Sequence, residues 1–484
     1  MKIRSTLSAG VLLATVVRSV LAIGGIDTPP APSATHEMSF PEPKEAKLEN
    51  GLRVIIMERP TLPLFAAHLL VRNGSEVDPD NLSGVASMTG SLLTKGTGKR
   101  TAPEIASAIE SLGGSIESGA RWDSSGATVI VMSDKADAAL EILSDVVLHA
   151  TFKQEEIDRL KNQTLDGLRV ALQEPGSLAR FVTARVVFGS GEYGHAASGI
   201  PETVQAIQRD DILKLYKSYY TPSNAALILV GNVTVEQGRA YAEKYFGSWK
   251  NDQAAAVKKA DTNAIDTKAK NVVIDMAQAG QAAVTVGKPA IKRNSPDYYA
   301  GLVTNAALGT GFVSRLNKEI RIKRGLSYGA RSAIDARRGV GPFVASAQTK
   351  NESAAEVATL LQSELKRLVT EPVQGEELKS RQAVLIGGYA RSLETNAGYV
   401  AQIAGLATYD LPLDTLAKFI PSINAVKTAD VTAFATKYFE APPSLIIVGK
   451  ASEFLEALKK NFADVKVIGQ SDLDLNRPDL KKPK

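Results

Sequence analysis

Two long stretches of this 484-residue chain repeat one pattern, the first built around Asp211 and the second around Asp430. The segment Asp211-Ile-Leu-Lys-Leu-Tyr-Lys-Ser-Tyr-Tyr220 precedes a turn at Thr221-Pro222-Ser223-Asn224, and then an apolar run from Ala225 to Val230 closed by Gly231. Later, Asp430-Val-Thr-Ala-Phe-Ala-Thr-Lys-Tyr-Phe439 precedes Pro442-Pro443-Ser444, and a run from Leu445 to Val448 closed by Gly449. In both, an acid opens a helix, where the helix dipole favours negative charge. An aromatic pair closes that helix, proline stops it, and a short buried strand follows. A chain that does this twice has two homologous halves to fold.

Other segments fall in step. Gly126-Ala-Thr-Val-Ile-Val-Met-Ser-Asp-Lys135 and Gly341-Pro-Phe-Val-Ala-Ser-Ala-Gln-Thr-Lys350 both read as strands, and each leads into a helix rich in Ala and Leu. Several matches at nearly one offset indicate duplication. In the first half, apolar patterning predicts strands over 53–57, 65–71 and 128–132 and helices over 83–93, 103–112 and 154–171. Strands and helices mix without a strict alternating rhythm, so the expected class is α+β, with an antiparallel-rich sheet packed by helices in each half. The halves are expected at 43–250 and 271–465. Between them, 251–270 is rich in Ala, Lys, Asp and Thr without apolar periodicity and reads as a linker. Residues 466–484 read as a tail.

Residues 1–22 carry Lys2, Arg4 and Arg18, no acid, and an apolar stretch from Leu7 to Val17. That is the pattern of a secretory signal, ending at Val20-Leu21-Ala22. The other reading is an N-terminal anchor, although the stretch falls short of the roughly 20 apolar residues a spanning helix needs. Export is therefore expected, to the periplasm or beyond, with a Pro-rich disordered lead over 23–42 and no stable membrane span. Those three basic residues supply part of the formal charge of +5, leaving +2 for the remainder. Such a balance does not suit a nucleic-acid binder. With no cysteine, the chain has no disulfide, no thiolate metal site and no cysteine nucleophile.

A motif stands in the first half: Gly84-Val-Ala-Ser87-Met-Thr-Gly90-Ser91-Leu-Leu-Thr-Lys-Gly-Thr97. Here the chain resembles the pitrilysin, insulinase and mitochondrial processing peptidase superfamily of zinc peptidases, over roughly residues 40–465. The resemblance implies two clam-shell halves around a chamber. In active members of that family this helix carries His-x-x-Glu-His; both histidines bind zinc and the glutamate activates water. The flanks match, but Ser87 and Ser91 stand at the histidine positions and Gly90 at the glutamate. Two histidines at i and i+4 share a helix face and chelate one ion; a neutral serine hydroxyl is a poor zinc ligand, and glycine has no base. The family's third ligand, a glutamate, falls within 166–173, near Leu168, where Asp166 is the only acid. No metal is expected in this chain. The four histidines, His36, His68, His149 and His195, share no motif and read as structural or surface residues.

The second half carries Leu308-Gly-Thr-Gly-Phe-Val-Ser-Arg-Leu-Asn-Lys-Glu-Ile-Arg321-Ile-Lys-Arg-Gly-Leu-Ser-Tyr328. It resembles the family segment whose arginine holds substrate main chain and whose tyrosine steadies the tetrahedral oxyanion. By position, those roles fall to Arg321 and Tyr328. Between Arg315 and Arg338, eight basic residues face only Glu319 and Asp335, a local excess of +6 that would attract an acidic substrate or partner. The strand at Phe343 reads as an edge for peptide addition, with Phe343 a substrate contact.

The family includes pairs in which one chain supplies zinc and the other supplies the arginine and tyrosine. The resemblance thus implies a non-catalytic subunit: inactive alone, joined to a zinc-binding partner with His-x-x-Glu-His, and acting on peptides. The alternative is a peptide-binding or scaffold protein of the same fold.

Overall fold

The computed structural model describes residues 40–250 and 268–483. The expected signal segment, nearly all of the lead and most of the linker lie outside the described residues.

The chain builds two six-stranded sheets. The first holds β1 (Lys44–Lys47), β2 (Arg53–Glu58), β3 (Leu64–Val71), β4 (Ser115–Ala120), β5 (Ser125–Met132) and β6 (Ala225–Gly231), in the order β1-β2-β6-β3-β5-β4. The second holds β7 (Asn271–Asp275), β8 (Ala282–Pro289), β9 (Ala330–Ile334), β10 (Pro342–Thr349), β11 (Ser444–Gly449) and β12 (Val465–Gly469), in the order β12-β7-β11-β8-β10-β9. The two orders match strand for strand from β2 and β7 inward. Leu64 and Ala282 open equivalent strands, at the spacing of the repeat. Both sheets are mixed, because the return from the helical excursion lays β6 parallel to β2 and β11 parallel to β7. The halves differ at one rim: β1 pairs antiparallel with β2, whereas β12 pairs parallel with β7.

The repeated acid is a capping device. Asp211 accepts from the Gln208 main-chain N–H at 2.9 Å, and Asp430 from that of Lys427 at 2.8 Å, opening helices Arg209–Tyr219 and Thr428–Phe439.

Every residue of β6 and of β11 is buried. Sheets covered on both faces need unbroken apolar strands, and these have them. Part of the second cover comes from the opposite half. Helix Pro175–Phe188, of the first half, packs on β8 and β11, where Leu178, Val182 and Val186 meet Val272, Ile274, Ile446 and Val448. Helix Asn396–Thr408, of the second half, packs on β3 and β6. The Asn396 amide donates to Leu64 O at 3.1 Å and accepts from Arg59 at 2.7 Å. The halves thus exchange helices, each burial of a Leu or Val contributing on the order of 2 kcal/mol.

The end of the chain corrects an expectation. Residues 465–469 are a sheet strand, and Leu475 and Leu480 are buried against helix 175–188, whose Arg185 donates from Nε to Leu475 O at 2.9 Å. The stretch read as a tail from 466 is structural, because Leu473, Leu475 and Leu480 supply the apolar contacts its charged composition conceals. Among the described residues, no helix is long and apolar enough to cross a membrane.

Candidate functional site

Ser87, Gly90 and Ser91 lie on helix Val85–Leu92. Its start is fixed by Asp78, which accepts from Gly84 N at 2.7 Å and Ala86 N at 2.9 Å. Ser87 and Ser91 are half-buried. Gly90 is buried against edge strand β4, so closely that a Cβ there would sit 2.5 Å from the carbonyl carbon of Gly119 and 2.9 Å from Ala120 N. The motif position is therefore closed by backbone. Gly309, at the equivalent place in the second half, presses in the same manner on β9, where a Cβ would lie 2.2 Å from Ser332 N. In this respect the helix of the first half packs like its counterpart in the second. The third candidate position gives no ligand: Leu168 is buried, and exposed Asp166 pairs with Arg169 at 2.6 Å. Two hydroxyls and a glycine against a strand do not fit zinc. Among the described residues, no three metal-ligating side chains of His, Asp or Glu gather.

Arg321 and Tyr328 stand elsewhere. Asn317–Lys323 forms a π-helical run, an uncommon geometry found often at functional sites. Arg321 is exposed on it, its guanidinium 4.7 Å over the ring of Phe312, itself exposed. The turn after this helix is pinned along its backbone. Leu326 N donates to Ile320 O at 3.0 Å, Thr349 Oγ1 donates to Leu326 O at 2.6 Å, and Ser327 Oγ bonds Gly329 on both sides. Gly325 makes the turn possible at φ +64°. From this held backbone the Tyr328 side chain projects 91% exposed. Among the described residues, no side-chain hydrogen bond engages its hydroxyl.

Two expectations fail here. Phe343 is fully buried, its ring tilted against that of Phe439 at 4.6 Å in the core of the second half. It is no substrate contact, and β10 is no edge, since β8 and β9 flank it; the outer strand is β9. Nor is the basic run a free patch. Arg315 pairs with Glu377, Lys323 and Arg324 with Glu319, Arg324 also with Glu356, Arg337 with Asp335, and Arg338 with Glu76. Acids from far along the chain do much of the neutralising.

Arg338 belongs to a feature that the sequence did not reveal. The β9–β10 connection inserts into the first half. Arg338 donates to Glu76 at 2.9 Å, to Arg72 O at 2.6 Å and to Asp123 O at 3.1 Å, while its main-chain N–H donates to the Asp123 carboxylate at 3.0 Å. Tyr193 bonds Asp123 at 2.7 Å and accepts from Gly339 N at 3.1 Å. Arg337 lies 4.3 Å over Trp122. Burial pushes the Glu76 carboxyl up to about 7, with Arg338 pulling it down and Asp123 adding to the rise.

The folded chain therefore holds that proton more tightly than the unfolded chain does, against an ordinary value of 4.5. Glu76 contributes stability that is fully present below pH 4.5 and is lost as pH rises through 7. Buried His68 and His195, both lowered by burial to about 4, act in the opposite sense. The difference between wild type and Glu76→Gln isolates the carboxyl. Urea midpoints measured from pH 4.5 to 7 are expected to fall more steeply in wild type than in the variant; parallel curves would refute the assignment.

Two family models cover most of the described chain: residues 53–187 match the insulinase model of peptidase family M16, and residues 206–385 match the peptidase M16 inactive domain. The chain belongs to peptidase family M16. An uncharacterized zinc protease of Bacillus subtilis is 22% identical over 406 residues, 84% of this chain and 98% of that protein. Another, from Streptomyces coelicolor, is 25% identical over 84% of this chain and 89% of its own length. A solved structure of a peptidase M16 inactive domain from Pseudomonas fluorescens superposes with a TM-score of 0.79 at 27% identity, over 84% of this chain and 98% of that one. A protease from Helicobacter pylori reaches a TM-score of 0.80 at 19% identity, over 85% and 100%, a likeness of fold. This M16 chain thus shares the two-half architecture of its relatives while its motif helix carries serines and glycine.

Proposed function

We propose that this M16 chain is the metal-free member of a two-chain zinc peptidase. The observation that carries this reading is the contrast between its two candidate sites: Gly90 is sealed against β4, while Tyr328 stands 91% exposed on the pinned turn that follows the helix of Arg321. An exposed tyrosine adds little to the fold, and a phenol carried on a pinned turn is suited to donate to charge that develops outside the chain. Arg321 offers fixed donors to a peptide carbonyl. The partner, carrying His-x-x-Glu-His, supplies zinc, the attacking water and the base; this chain binds the peptide and steadies the oxyanion. The basic start and apolar stretch that end at Ala22 support export, so the pair would work outside the cytoplasm.

The test begins with affinity capture from the native host, where a co-purifying chain bearing His-x-x-Glu-His is expected. With that pair, Arg321→Ala and Tyr328→Phe are each expected to lower kcat/KM on an unstructured peptide by about 100-fold, the scale of one oxyanion donor. Stoichiometric zinc in the single chain, or unchanged turnover of the pair, would sink the reading. Capture of membrane-complex subunits without a zinc peptidase would favour the scaffold alternative.

A further inference from the structure

Asn317 opens the π-helical run that carries Arg321, and its side chain is more than nine-tenths buried. Its amide nitrogen lies 3.0 Å from Gly311 O, 3.1 Å from Ser314 Oγ and 2.8 Å from Ala330 O. Its amide oxygen accepts from Ala330 N at 3.1 Å. Ala330 is the first residue of outer strand β9 and faces Ala347 of β10 on its inner side. On the outer side, one side chain thus takes both main-chain groups of Ala330, as a neighbouring strand would. Asparagine suits this because its amide carries a donor and an acceptor in the geometry of a peptide group.

Arg321 lies four residues after Asn317 on the helix, and Tyr328 two residues before Ala330 on the turn. The Asn317 amide therefore joins the two segments that bear the pair. We infer that Asn317 is a positioning residue: it sets the spacing of the Arg321 and Tyr328 backbones. This rests on the functional reading above only insofar as the pair acts on substrate; the spacing itself is a property of the chain. Other bonds across the turn, from Leu326 to Ile320 and from Thr349 to Leu326, hold the middle of the loop. Asn317 ties the start of the helix to the start of the strand. Removing it leaves the buried N–H and C=O of Ala330 without these partners, at an edge where water can replace them only by loosening the strand.

The chain has no cysteine, so nitroxide labels can be placed without background. With labels at Arg321→Cys and Tyr328→Cys, the dipolar splitting between them is expected to be sharp in the otherwise wild-type chain and lost in Asn317→Ala. Asn317→Asp, which keeps the acceptor for Ala330 N, is expected to retain part of it. A label at Val467→Cys, on the exposed face of β12, should keep its mobility in all variants. Unchanged splitting in Asn317→Ala overturns the inference, as does a loss shared by the Val467 control. In the captured pair, Asn317→Ala is expected to lower kcat about tenfold while KM holds, and Asn317→Asp to recover part of it. Splitting lost while Arg321→Ala and Tyr328→Phe leave turnover unchanged would support the positioning role and overturn only the functional reading.

Discussion

Replacing Gly90 by glutamate, the residue the family motif places there, is expected to destabilise the fold rather than rebuild a site. The obstacle is the first carbon of any side chain. A Cβ on Gly90 meets the Gly119 carbonyl carbon at 2.5 Å and its oxygen at 2.7 Å, so no rotamer relieves it. The strand could give way only by leaving β5, to which it is paired from Ser115–Ile130 to Ala120–Ser125. It would also break the contact of Thr94 with Ser118 at 3.2 Å. Overpacking commonly costs about 1–3 kcal/mol, and a clash with backbone lies at or beyond the upper end. Half-buried Ser87 and Ser91 are different: histidine at each is expected to cost under about 1 kcal/mol. A variant carrying Ser87→His, Gly90→Glu and Ser91→His should therefore lose its urea midpoint through Gly90, and Gly90→Ala alone should show most of that loss. A folded triple variant holding one zinc per chain by native mass spectrometry would contradict this.

Arg338→Ala is the second large effect. The substitution strips the guanidinium from Glu76, which is only 2% exposed and would keep just Asn73 and the Gly74 N–H as partners. Without Arg338 the Glu76 carboxyl, already pushed up to about 7 by burial, rises further, and Arg72 O and Asp123 O lose this donor. Above that pH the remaining charge is left buried and uncompensated, and breaking one side of such a pair costs about 3–5 kcal/mol; at lower pH the carboxyl takes up a proton and the loss is smaller. Lysine should rescue poorly, since it cannot reach Glu76, Arg72 O and Asp123 O together with one fork of donors. Pairing Arg338→Ala with Glu76→Gln should recover part of the loss. Trp122 lies under Arg337 beside this contact, and the chain has only one other tryptophan, so fluorescence during urea unfolding reports on the docking directly. An unchanged midpoint would mean that the inserted connection adds nothing to the union of the halves.

The repeat made the two sheets legible, because each strand and its following helix carry their own apolar pattern and caps. The motif helix was legible through its flanks. What made Gly90 unalterable was not, since it depends on Gly119, which no local pattern connects to it. Around Phe343 the alternation of the strand was readable: residues 343, 345 and 347 are buried and their neighbours are partly exposed. The choice of which face was the core, and whether the strand was an edge, depended on β8 and β9. The basic run misled for a similar reason. Its neutralising acids, Glu377, Glu356 and Glu76, stand far along the chain, and a local count cannot weigh them. Asn317 sat inside a recognised motif, but its role becomes visible only when Ala330 folds back against it.

The exchange of helices 175–188 and 396–408 bears on how the molecule is made. During synthesis the first sheet emerges complete by Gly231, yet the face that awaits Asn396–Thr408 stays bare until most of the second half has been added. Over the same interval helix 175–188 has no sheet to lie on. Neither half can finish before the other, so the nascent chain must be kept from aggregating until nearly its full length is available. A break in the backbone between the halves would then leave two fragments that stay together, each holding a piece of the other.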